Sequence, residues 1–143
     1  MTDKQLSHDL SARFGVDQAL RLNTLDFISQ HGSVLDTLMY SRLLSPEFVE
    51  IDDMIFLKEV VEDETDRRYL AEMLDSYRGD KSLAEESLNL LYLCDEIGDG
   101  GDATDEQVLA LSERIASIWR ARLLLAYPGR RFEVQVQFER WQG

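Results

Sequence analysis

Cysteine, histidine and proline are scarce in this chain, and each scarcity closes off a class of chemistry. The lone cysteine, Cys94, has no internal partner for a disulfide, so the composition fits a reducing compartment and a cytoplasmic protein is expected. The two histidines, His8 and His31, stand far from Cys94 in sequence. Neither a His-x-x-x-His nor a Cys-x-x-Cys spacing occurs, so no metal site is nominated. No stretch approaches the roughly 18 uninterrupted apolar residues that a membrane span requires. The opening MTDKQLSHDLSARFG carries charge throughout and does not read as a secretory leader. A G-x-S-x-G elbow, a phosphate loop and a dinucleotide fingerprint are all missing. Gly98, Gly100 and Gly101 follow a helical pattern rather than a strand, which is the wrong setting for a Rossmann turn. No catalytic residue and no cofactor are nominated.

A basic excess is missing as well. The formal charge is −13, from 28 acidic and 15 basic side chains. Between Glu47 and Glu106 stand 20 acidic and 5 basic residues, a net of −15 that exceeds the imbalance of the whole chain. Such a field disfavours nucleic acid and anionic membrane and favours basic partners or cations. What is present is ordinary for a folded protein, with 44% hydrophobic and 30% charged residues. Its 143 residues match the usual size of one domain, with a core large enough to need no disulfide.

Periodicity predicts mostly helices. Thr2 and Gln5 fit a capping box ahead of Leu6, Leu10 and Phe14, a helix ending near Gly15. A weaker stripe runs from Asp17 to Gln30, where Gly32 suits a C-terminal cap. Ser33 caps a third helix that stops before Pro46. The pattern then turns to β-branched and aromatic residues. Phe48–Ile51 and Met54–Glu59 read as strands around an Asp52-Asp53 turn, although the turn lacks the glycine that tight hairpins favour. Thr65 opens a fourth helix ending at Gly79. Ser82 and Glu85 box a fifth that runs on to Gly98, and Thr104 and Gln107 box the longest, up to about Ala126. In RFEVQVQFE, strict alternation predicts a final half-buried strand. The expected fold is α+β in a single domain. About six helices pack on one side of a small, mainly antiparallel sheet (a hairpin near 47–60 plus a C-terminal strand near 131–139), in the order ααα-ββ-ααα-β.

Four constellations invite chemistry. Asp95 to Glu106 has the length of a calcium loop, with Asp95, Asp99, Gly100 and Glu106 in template positions. Ile97 and Asp102 break that template, so weak cation association is expected rather than a cage. Cys94 lies near a helix C-terminus, where the dipole opposes a thiolate, and reads as a packed thiol. The carboxylates Glu50, Asp52 and Asp53, then Glu62, Asp63, Glu64 and Asp66, form solvated runs near helix starts rather than the divergent pair that acid–base catalysis requires. They are nominated as a face for a basic partner. Arg130 and Arg131, at the exit of the longest helix, have the geometry to grip an anion bidentately, or to pair with the chain's own acids.

These observations point to a non-enzymatic interaction module that presents an acidic face to a basic protein. The alternative is an enzyme or small-ligand protein with a pocket between helices and sheet, lined by Arg130, Arg131, Tyr127 and Cys94. The last strand, set at a sheet edge, would pair with a second copy in a homodimer, with Trp141 beyond it as an anchor on the core or on a partner.

Overall fold

A computed structural model describes residues 1–93, 97 and 102–137. Among these are six α-helices and a two-stranded antiparallel sheet, in the order three helices, hairpin, three helices. Helix α1 spans Asp3–Phe14, α2 Thr24–His31 and α3 Val34–Leu44; strands β1 and β2 are Phe48–Ile51 and Met54–Leu57; α4 is Glu64–Ser76, α5 Lys81–Leu88 and α6 Asp105–Ala126.

The hairpin is the centre of the packing. Ile51 faces Met54, so only Asp52 and Asp53 form the turn. Both have positive φ, 50° and 69°, the combination a type I′ turn needs. Aspartate tolerates that region better than most residues, which explains a tight hairpin without glycine. Strand alternation then splits the apolar residues into two cores. Val49, Ile51, Met54 and Phe56 face α4 and α5, joining Val61, Leu70 and Ala84. Phe48 and Leu57 face the opposite way, toward Ile115 and Trp119 of α6 with Leu43 and Leu44 of α3. The sheet is therefore covered on both faces, not on one as expected. The unbroken apolar run MIFL, buried at every position, is the sequence form of that arrangement.

Several boundaries differ from expectation because another cap is stronger. The second helix is reduced to Thr24–His31, boxed by Asn23 and Asp26, behind a separate 3-10 turn at Gln18–Leu20. Asp63 rather than Thr65 starts α4. The Asp63 side chain accepts from the Asp66 N–H, and Asp66 accepts from the Asp63 N–H. Thr65 has Arg68 at the corresponding position, which cannot return the bond. The second strand stops at Leu57 and passes into a 3-10 turn at Lys58–Val60. The fifth helix, Lys81–Leu88, is capped by Asp80 and Asn89 and ends well short of Gly98.

The C-terminal strand expected near 131–139 is not found: residues 131–137 make no ladder, and 138–139 lie outside the described residues. The alternation itself is real, since Phe132, Val134 and Val136 are half-buried and the residues between them exposed. Alternation only requires one covered side. Here Val134 packs against the α6 core, and its carbonyl accepts from the Arg120 guanidinium instead of from a strand.

Candidate functional site

The outer edge of β2 is closed by side chains that the sequence did not nominate. Because Ile51 and Met54 are paired beside the turn, Ile55 and Leu57 direct their backbone groups away from β1. Two side chains of α5 meet them. The Glu85 carboxylate accepts from the Ile55 N–H at 2.6 Å. Asn89 accepts from the Leu57 N–H at 2.9 Å and donates to the Ile55 carbonyl at 2.8 Å. A helix thus supplies, through one carboxylate and one amide, the bonds a third strand would make, and closes an edge that would otherwise invite pairing.

The hairpin tip is clamped from both sides. Lys81, at the start of α5, donates to the Asp52 carbonyl at 2.7 Å and stands 3.9 Å from the Asp53 carboxylate. Arg130 pairs with Glu50 at 3.3 Å and donates to the Asp53 carbonyl. Arg130 therefore engages the chain's own acidic segment, while Arg131 is exposed beside it. The opposite end of the hairpin has its own pair, Lys58 and Glu47 at 2.8 Å. The Lys58 ammonium beside Glu47 holds that carboxyl below its ordinary pKa, and Glu47 in turn raises that of Lys58. Arg42 reaches Glu47 and Glu59 at 3.9 and 3.7 Å.

The nominated acids fall into two groups with different duties. Glu50, Asp52 and Asp53 surround the hairpin tip. With Ile51, Arg67, Leu70 and Leu74, Glu50 and Asp52 line a shallow depression of about 540 Å³ over α4. Glu62, Asp63, Glu64 and Asp66 gather at the N-terminus of α4, where the helix dipole favours negative charge. Asp63 and Asp66 serve the capping box, and Asp66 also accepts from the Glu62 N–H. Glu62 and Glu64 are exposed. A smaller groove of about 290 Å³ separates α2 from α3. Both concavities open to solvent. Among the described residues no group of three His, Cys, Asp or Glu is placed to hold a metal ion, and no helix is long and apolar enough to cross a membrane. Cys94, Asp95, Glu96, Gly98 to Gly101 and Trp141 lie outside the described residues, and with them most of the calcium-like loop.

A further tie joins α1 to α6. Gln107, in the capping box of α6, donates its amide to Asp9 at 3.0 Å. That bond, with a second from Gln5, holds the Asp9 carboxyl below its ordinary range. Trp119 donates to the Leu43 carbonyl at 2.9 Å and Arg122 to the Pro46 carbonyl at 3.0 Å, fixing the entry to β1 against α6.

Sequence reading missed Glu85, Asn89 and Lys81 as organising residues. Glu85 was absorbed into an expected capping box with Ser82. Asn89 did leave a trace, as the one polar residue inside the apolar stretch LNLLYL. The chain matches no family model, no curated protein and no solved structure.

Proposed function

We propose that this protein is a non-enzymatic interaction module, acting in the cytoplasm, whose acidic surface binds a basic protein partner. The observation that carries the reading is the net charge of −15 between Glu47 and Glu106. Lys58 and Lys81 are already counted in that figure, and only Arg42 and Arg130 come to its acids from outside the segment, so the field stays strongly negative. The excess acts at long range, raising the rate of encounter with a basic surface more than the final affinity. It also works against direct binding of nucleic acid. Glu62 and Glu64, exposed and outside the α4 capping box, together with Asp52 at the hairpin tip, are the contact carboxylates. Arg131 is the remaining candidate for an anion carried by that partner.

The test is affinity capture at low and high salt, comparing wild type with Asp52→Asn/Glu62→Gln/Glu64→Gln. This variant removes three charges and leaves the Asp63–Asp66 box intact. A basic protein retained by wild type at low salt, released at high salt and lost by the variant supports the proposal. Equal retention by both proteins contradicts it.

A further inference from the structure

Among the described residues, exposed apolar side chains gather on α2 and α3, with others, such as Leu20, Leu124 and Leu125, scattered elsewhere. Leu25 and Ile28 of α2, and Val34, Leu35, Leu38 and Met39 of α3, are each between 55% and 79% exposed. At 100° per residue, the four α3 side chains share an arc about 140° wide. Leu43, at the margin of that arc, and Leu44, on the far side, pack against α6. The two helices border the groove of about 290 Å³, with Ile28 on one wall and Val34 and Leu38 on the other. Gly32 sits between them, and a Cβ there would lie 2.5 Å from the Ile28 carbonyl oxygen. The tight α2–α3 junction that shapes the groove thus depends on that glycine.

Area and charge together identify the occupant. The six side chains expose on the order of 700 Å², above the usual largest patch of a monomer and close to what one partner gives a standard interface. Residues 24–41 contain only two charged side chains, Asp26 and Asp36, apart from His31. A basic protein is drawn to the acidic segment and finds no electrostatic attraction here. A twofold dimer sets a surface against itself, which a densely acidic face resists and a sparsely charged apolar face favours. We infer that α2 and α3 form the interface of a homodimer, in which apolar side chains of one α3 enter the α2–α3 groove of a second copy. This interface uses none of the acidic residues Asp52, Glu62 and Glu64 and leaves them free for their own partner. The two also respond oppositely to salt: screening weakens capture of a basic partner but relieves repulsion between two chains of charge −13 each.

Sedimentation equilibrium over about 1 to 100 µM tests the inference. Wild type is expected to approach twice the chain mass of 16.5 kDa, more completely at higher salt. Leu35→Lys/Leu38→Lys is expected to raise the dimer Kd by about ten-thousandfold or more, leaving a monomer over this range, because four buried leucines leave the interface of each dimer. Near-ultraviolet circular dichroism of the variant, matched to dilute wild type, confirms its fold. A second measurement needs no variant: methyl shifts of wild type that change on dilution should be confined to Ile28, Val34, Leu35, Leu38 and their neighbours. A wild type that stays monomeric throughout overturns the inference and leaves the face to a different partner. A dimer that the double variant leaves intact, or dilution shifts elsewhere on the surface, overturns it equally.

Discussion

Replacing Asn89 with alanine removes two of the three bonds that close the free edge of β2. The Leu57 N–H loses its acceptor and the Ile55 carbonyl its donor, while both residues remain buried, at 7% and 3% exposure. Leaving a buried backbone group unpaired costs about 1–3 kcal/mol. Partial access of water to an edge strand brings the pair to about 2–4 kcal/mol in all. For a chain of this size that lowers the melting temperature by roughly 6 to 15 °C. Asn89→Asp keeps the acceptor for Leu57 but turns a carboxylate toward the Ile55 carbonyl, so it should be no more stable than the alanine variant. Glu86→Ala, on the exposed side of the same helix, should stay within about 0.5 kcal/mol of wild type. Urea unfolding followed by circular dichroism, with hydrogen exchange read at the Ile55 and Leu57 amides, measures all three. If Asn89→Ala unfolds with the same midpoint as Glu86→Ala, helix α5 does not close the strand edge and the reasoning fails.

Other consequences follow from single contacts. Asp53→Gly places the residue that type I′ turns favour at a φ of 69°; it should be neutral to stabilising by up to about 1 kcal/mol in urea titration, the lost Lys81 contact being exposed and long. The Asp9 carboxyl, held low chiefly by the Gln107 amide, contributes stability that is present above the ordinary aspartate pKa of about 3.9 and is lost as pH falls through the folded value. Gln107→Ala should therefore raise the Asp9 pKa, observed by carbon-detected NMR titration, and flatten the acid limb of the stability curve. Gly32→Ala forces a Cβ against the Ile28 carbonyl and should destabilise by about 1–3 kcal/mol, with shifts confined to α2 and α3 in a two-dimensional NMR spectrum.

What could be read from the sequence, and what could not, follows from the range of the forces involved. Helix starts at Thr2, Ser33 and Thr104 were legible because a cap is settled within four residues. The hairpin was legible from the β-branched run and its length, and the Asp52-Asp53 turn fell where placed. The start of α4 was also written locally, since only Asp63 has a reciprocating residue three positions on. Glu85 and Asn89 were not legible, because their partners are 30 to 34 residues away. No local rule tells a capping carboxylate from one that pairs with a strand. The C-terminal segment failed for the same reason. Its alternation fixed which side chains turn inward, but a ladder depends on a free strand edge elsewhere. Val134 instead gives its side chain to the α6 core and its carbonyl to the Arg120 guanidinium. The acidic groups were read correctly as helix-start and turn residues, whereas their separation into a clamped hairpin tip and an α4 cap emerged only from the fold.

The most direct test of the acidic-surface account is the salt dependence of affinity for the captured basic protein, measured by calorimetry on wild type and on Asp52→Asn/Glu62→Gln/Glu64→Gln. The account predicts that affinity falls steeply with salt for wild type, and that the variant binds about tenfold more weakly at low salt with a shallower slope. Equal affinities and equal slopes for the two proteins would contradict it.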